Sequence, residues 1–475
     1  MTMQARASRP QATYPLTVFD KCFERTAFVT GWLVQGVIDT DALAAALGRM
    51  SEKWRMLAGR LEIVPESKTW QISVPLGPLP ADYKTYALTI STSELPLSHY
   101  LTLPLEGSSA CLPHSLFLHP TTPRGNAAWV ATSHPLTCWN ITHFPSHGSD
   151  VPAYTCIGFA RSHGVFDGVG AAAVMRALVA EMDGKEWSVP SSPPEGSSVN
   201  PLETVLTAEV ARTEGQKEYR DSPVHSVLGF WGILWAIGWQ FRERFWRGAT
   251  QRIFTIPKGA LNVLVDGVKS ELRSENHSEE VTTGDILTAW IMKAVYATGT
   301  PPAQLVHCSN FASFRDIVSE SGGTSFAGYP HNAFIPLPYP VLSVQELNAL
   351  SVPAFARLLC AKRHEFSLRN VVAAYHVTSH NKVTMPMHRA ANESLVVSNV
   401  SASRILETDW SAVGSQGTVC GYRYVVTPNN LVLCNVAYIS GRLADGSTVL
   451  DVNLNTVRMQ NFTNAVRELI ARAAA

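Results

Sequence analysis

Residues 153–170, AYTCIGFARSHGVFDGVG, leave this chain few ways to fold. An almost unbroken apolar run ends at Arg161-Ser162, and a polar cluster with two glycines follows at once. Such a run, bounded by a turn signal, predicts a strand buried on both faces. Residues 169–183 (VGAAAVMRALVAEMD) then predict a helix, stopped by Gly184 just past its end. A histidine, His163, therefore stands where a buried strand turns into a helix, a common place to build a site.

The chemistry open to it is definite. A neutral imidazole can take a proton from a hydroxyl or amine near pH 7, given a fixed ring and an open approach. Gly164 leaves room beside the ring. Asp167 either touches the histidine or points away and locks the loop by pairing with an arginine. An isolated H-x-x-x-D-G is also compatible with a histidine that simply packs in a core, so the rest of the chain has to decide.

At 475 residues the chain exceeds one ordinary core and predicts two domains. The formal net charge of zero shows no basic stripe, which argues against nucleic acid. Eight cysteines without a C-x-x-C pair predict reduced thiols in a cytoplasmic protein rather than a disulfide framework. The first residues lack an apolar signal core, so the sequons at Asn140 and Asn276 are expected to be silent. No window holds the 18 or so apolar residues of a membrane span.

Residues 1–13 read as disordered. Strands are expected over 27–34, 70–74 and 129–136. A helix over 41–54, capped by Thr40, carries Leu43, Leu47, Met50 and Trp54 on one face. Residues 189–201 (VPSSPPEGSSVNP) predict a linker. After it, 227–239 (VLGFWGILWAIGW) is too short to cross a bilayer but apolar enough to pack on the protein, to line a substrate entrance or to lie weakly on a membrane surface. The second half restarts with a strand at 252–256. A helix over 284–297 capped by Thr283, strands over 305–314, 394–401 and 431–439, two helical patterns within 342–368 and a closing helix over 460–475 complete a mixed α/β pattern in two halves.

Several blocks together resemble one family. Residues 14–20 with 38–61 (ending LAGRL), His163–Gly168 as H-x-x-x-D-G, 282–290 (TTGDILTAW), Asn310–Arg315 with 329–333 (YPHNA), and 396–409 run in the order found in the BAHD acyltransferases, and more particularly their fungal secondary-metabolism branch. The resemblance spans almost the whole chain. It implies an α/β fold of two chloramphenicol-acetyltransferase-like domains, each a mixed sheet with flanking helices, with a channel between them. The expected units are 1–190 carrying the histidine, a crossover at 191–250, and 251–475. Related condensation domains carry H-H-x-x-x-D-G; Ser162 in place of the first His favours a free enzyme using CoA. One departure stands out: where the family has D-F-G-W-G, this chain reads Asp409-Trp410-Ser411-Ala412-Val413-Gly414, keeping only the aspartate.

The resemblance implies an acyl-CoA-dependent O-acyltransferase, with acetyl-CoA the expected co-substrate and no tightly bound cofactor or metal. It would act as a monomer on a small apolar natural product such as a terpenoid, polyketide or alkaloid. His163 would be the general base, Asp167 would pair with Arg315 to hold the loop, and Gly168 would meet a backbone need. Ser398 would support the oxyanion, ahead of Asn399 and Ser401, and Asp409 would be structural. Lys258, Thr282, Thr283, Tyr329 and Asn332 would contact CoA. The alternatives are N-acylation by the same histidine, or a condensation-fold protein that binds or cyclises an apolar metabolite without acyl transfer. Other constellations fail: His376 and His380 have ligand spacing but no third ligand, and there is no G-x-S-x-G elbow, P-loop or G-x-G-x-x-G.

Overall fold

The computed structural model describes residues 10–475 apart from 67, 106, 147–151, 192, 276–279, 382, 430 and 431. Most of the expected disordered start, the Asn276 sequon and Leu431 lie outside the described residues.

Two sheets carry the architecture. In the first, five strands lie in the order Gly417–Val426, Ala27–Gln35, Tyr154–Ser162, Thr137–Phe144, Ala87–Thr92. The histidine strand Tyr154–Ser162 is antiparallel to both neighbours. Eight of its nine residues are buried, as its apolar run requires. The second sheet runs from Phe334–Pro336 through Leu305–Ser313, Glu393–Asn399, Val436–Arg442, Thr448–Leu454 and Thr250–Ile256 to Ser108–Ala110. Its centre is parallel, Leu305–Ser313 against Glu393–Asn399 and that strand against Val436–Arg442. Each sheet is backed by its own apolar core, one around Trp32 and Phe159, the other around Phe254, Trp290 and Phe462.

The strands cross the expected unit boundaries in both directions. Gly417–Val426 leaves the C-terminal part and pairs with Ala27–Gln35 as the edge of the first sheet. Ser108–Ala110 pairs with Thr250–Ile256 at the far edge of the second. Each exchange covers a strand edge that would otherwise be exposed.

Local structure corrects several expectations. Asp39, not Thr40, caps the helix Thr40–Lys53, because its carboxylate reaches the N–H groups of Asp41 and Ala42 at 3.0 and 2.9 Å. Thr282, not Thr283, caps Thr283–Val295 through a reciprocal box with Asp285. The region of Trp129 is a short helix, Asn126–Ala131, and the strand begins later, at Thr137. Buried Trp129 spends its indole N–H on the carbonyl of Pro135 at 3.0 Å, a local bond that a strand would not offer. The strand expected over 431–439 runs instead over Val436–Arg442.

Candidate active site

His163 leaves the end of its strand into a turn, and Asp167 then opens the helix Gly168–Met182. Asp167 is held on all sides. Its Oδ1 accepts from the N–H groups of Val169 (3.0 Å) and Gly170 (2.9 Å), which caps the helix. Oδ2 accepts from Arg315 Nη2 at 2.8 Å in an ion pair almost wholly buried, and from Ala333 N–H at 3.3 Å. Arg315 also donates to the carbonyls of Tyr329 (3.0 Å) and His331 (2.7 Å). Both Asp167 oxygens are thus engaged away from the imidazole. Gly170 explains the tight approach of helix and loop, since a Cβ there would lie 1.9 Å from the Pro330 carbonyl oxygen. Gly168 has ordinary φ, and its need is milder: a Cβ would meet Val400 at 3.2 Å.

The imidazole is clamped. Phe23 stacks on it at 4.3 Å between centroids, and Phe28 meets it edge-on at 5.3 Å. The His163 N–H donates to the Thr26 carbonyl at 2.9 Å, and its carbonyl accepts from Asn332 Nδ2 at 2.7 Å. Asn332 is itself gripped by Asp20 Oδ1, through both its backbone N–H (2.9 Å) and Nδ2 (2.8 Å). Nδ1 of His163 is buried without a hydrogen-bond partner of good geometry, leaving Nε2 as the nitrogen open to the cavity. Burial and then the positive charges of Arg161 and Arg423 push the pKa down to about 3, with the backbone of His163 and Phe166 pulling weakly the other way. At neutral pH the ring is therefore an uncharged proton acceptor.

The cavity it faces measures about 220 Å³ and lies where the two sheets meet. From the first half come Phe28, Arg161, His163 and Phe166; from the second come Phe311, Phe334, Ser398 and Asn399, with Arg423 on the exchanged strand. Ser398, half-buried at the end of Glu393–Asn399, thus shares one cavity with His163. Asn399 is on the same wall but uses Oδ1 to accept from Ser401 N–H and Oγ. Arg423 also borders a neighbouring cavity of about 360 Å³ that contains Gln251 and Asp451.

The expected CoA contacts are only partly brought near. Tyr329 and Asn332 are buried, Tyr329 against Asn200 at 3.0 Å and Asn332 against Asp20 and His163, so both help to frame the site. Thr282 and Thr283 open a helix whose Gly284 packs beside the cavity residue Asn399, a Cβ there falling 3.0 Å from Asn399 Nδ2. Lys258 is exposed at the start of another helix and lies against Gly446. Asp409 is exposed, accepts from Ser411 N–H at 2.8 Å and lies off the cavity wall; buried Trp410 beside it packs on Trp32 at 5.2 Å. Sequence reasoning gave no role to Arg161, Arg423, Asp20 or the clamping phenylalanines. Strand alternation gave no signal for them, because His163 stands in the turn beyond the strand that ends at Ser162.

The segment 227–239 is largely the helix Phe230–Phe241, and it keeps an apolar face outward: Trp231 is 79% exposed, and Trp246 just beyond it 87%. Its Trp235 and Trp239 border a separate cavity that shares no residue with that of His163. Among the described residues no helix is long and apolar enough to cross a membrane, and no group of three or more His, Cys, Asp or Glu could hold a metal ion.

No protein-family model matches the chain. An O-acyltransferase, pboC of Aspergillus ustus, is 26% identical over 282 residues, 56% of this chain and 55% of that protein. The match thus spans about half the length of the curated relative. Solved structures match over nearly the whole length. TRI101 of F. graminearum, complexed with coenzyme A and deoxynivalenol, superposes with a TM-score of 0.66 at 15% identity, covering 94% of this chain and 96% of that one. The first condensation domain of the calcium-dependent antibiotic synthetase, in complex with a substrate analogue, gives 0.57 at 13% identity, with 98% of each chain covered. The chain therefore shares the mixed α/β fold of TRI101 and of that condensation domain over nearly its whole length. Within that fold, the His163 cavity is lined by residues from both parts of the sequence.

Proposed function

We propose that the protein is a CoA-dependent O-acyltransferase that esterifies a hydroxyl of a small natural product, with acetyl the first acyl group to test. The observation that carries the reading is a neutral, clamped imidazole lining one cavity together with Ser398. The likeness to pboC and to TRI101 with coenzyme A bound supports it. In the reaction, His163 Nε2 takes the proton of the acceptor hydroxyl as its oxygen bonds to the thioester carbonyl carbon. The C–S bond then breaks, and the imidazolium returns the proton to the departing thiolate, so no acyl-enzyme forms. Ser398 donates to the oxyanion of the tetrahedral intermediate. Asp167 and Arg315 hold the turn, and CoA approaches past the Thr282–Thr283 turn. The eight free thiols suit a reducing compartment such as the cytoplasm, and the aromatic face of Phe230–Phe241 suits weak contact with a membrane surface. The test is to incubate the protein with acetyl-CoA and a panel of natural-product alcohols, following free thiol together with product mass. Thiol release matched by an acylated product supports the reading. Binding of an apolar metabolite without CoA binding or acyl transfer would replace it with the cyclase or carrier alternative.

A further inference from the structure

Three guanidinium groups border the His163 cavity; Arg315 is ion-paired with Asp167, whereas among the described residues Arg161 and Arg423 form no ion pair with a carboxylate. Arg161 is 3% exposed and Arg423 6%. Both stack on the Phe28 ring, with guanidinium carbons 5.1 Å and 4.7 Å from its centroid. Arg161 Nη1 donates to Thr30 Oγ1 at 3.2 Å and to the Phe159 carbonyl at 3.5 Å. Arg161 Nε and Arg423 Nη1 are buried with no hydrogen-bond partner. The nearby carboxylates are engaged elsewhere: Asp167 pairs with Arg315, and both oxygens of Asp451 accept from Gln251 Nε2, at 2.8 and 2.9 Å.

Taking a cation out of water is costly unless it is paired, and two such cations side by side also repel. Stacking on Phe28, Phe159 and Tyr438 offsets part of that cost. It does nothing for the unused N–H groups, which lie in the molecular plane where a carboxylate docks. The rest of the wall is mixed: Phe166, Phe311 and Phe334 give it a broad apolar part, and Asp167, Ser313, Arg315, Ser398 and Asn399 a polar one.

We propose that Arg161 and Arg423 form a carboxylate subsite, so that the reacting pair at His163 includes one carboxylate on an otherwise apolar body. The proposal deepens the acyl-transfer reading of this cavity and rests on it. The carboxylate belongs either to the acceptor, a hydroxy acid, or to a dicarboxylic acyl group such as malonyl; the recognition chemistry is the same. Its consequence reaches the base. The two cations disfavour the imidazolium, and a bound carboxylate cancels part of their field, so the base strengthens only when the right substrate is seated. A neutral analogue then loses kcat as well as affinity.

The test is calorimetric binding to the full-length protein in two paired arms. One compares malonyl-CoA with acetyl-CoA. The other compares benzoate with benzamide, with and without saturating coenzyme A. Wild type is expected to prefer the carboxylate member of one pair by about tenfold or more, the arm identifying its source. Arg161→Gln and Arg423→Gln are expected to abolish that preference and Arg423→Lys to keep part of it. Should a Gln variant fail to fold, the wild-type discrimination and the Lys variant still decide. No discrimination in either arm, or discrimination that survives in folded Gln variants, overturns the subsite. Coenzyme A binding without carboxylate preference sinks the subsite alone. Benzoate preference without any coenzyme A binding sinks the acyl-transfer reading and leaves the subsite standing.

Discussion

At residue 163 the folded chain holds an imidazole in the uncharged form. Burial and two arginine charges press the imidazole down to about 3 from an ordinary value near 6.5. The active form is the neutral ring, so the acid limb of kcat/KM is expected well below pH 6, with activity flat from pH 8 to 6; a limb at 6.5 would show an unperturbed ring. Asp167 has a different task, and its substitution separates frame from chemistry. Asp167→Ala removes a helix cap, about 1 kcal/mol, and strands buried Arg315, about 3–5 kcal/mol. Its melting temperature is expected to fall sharply; activity lost at unchanged melting temperature would give Asp167 a direct part in the reaction. The motif H-x-x-x-D-G made His163 and Asp167 visible in the sequence. The burial of Asn332 and Tyr329 was not legible, because polar residues in a loop look exposed, whereas here Asn332 packs against the His163 carbonyl and Tyr329 against Asn200. Arg161 and Arg423 were overlooked because a single arginine in an apolar strand carries no sign of what it faces.

The histidine strand and its helix work as one element, and Gly170 in the first turn of that helix sets how closely the loop at 329–333 can approach. Gly170→Ala is expected to cost about 1–3 kcal/mol or more, since the backbone must move to relieve a 1.9 Å contact; unchanged unfolding by urea would contradict that packing. The helix Phe230–Phe241 and the turn after it pose the opposite case, with Phe230, Trp231, Phe245 and Trp246 all more than half exposed. Vesicles of phosphatidylcholine with 30% (about one third) phosphatidylserine are expected to blue-shift its tryptophan emission. Trp231→Ser with Trp246→Ser should remove the shift without touching acyl transfer, and no shift in wild type would leave this face to another use. Periodicity located these elements well because apolar spacing is a local property. Caps slipped by one residue at Asp39 and Thr282 because two adjacent polar residues could each have capped, and only side-chain reach decides.

The whole molecule joins two cores by exchanging edge strands, and no local pattern in the sequence announces such an exchange: Gly417–Val426 pairs with a strand nearly 400 residues away in the chain. That long-range pairing is what closes the cavity, placing Arg423 beside His163. The folded state also keeps four histidines neutral by burial, His163 and His307 at about 3 and His225 and His331 at about 4. Each binds a proton on unfolding between those values and about 6.5, so each contributes stability that is present above 6.5 and lost as pH falls. Asp20 and Asp451, pushed up by burial to about 7, act in the opposite direction over part of that window. Four groups against two leave a net loss in acid, and the melting temperature is expected to drop between pH 7.5 and 5. A constant or rising value would mean that the histidines are not held neutral.

The most direct measurement compares wild type with His163→Ala in acetyl-CoA turnover against an accepted alcohol, with CoA binding and melting temperature measured in parallel. A folded variant that still binds CoA but transfers acyl groups about 10²–10⁴-fold more slowly is the expected result. Transfer within a few-fold of wild type would contradict the claim that this histidine is the base.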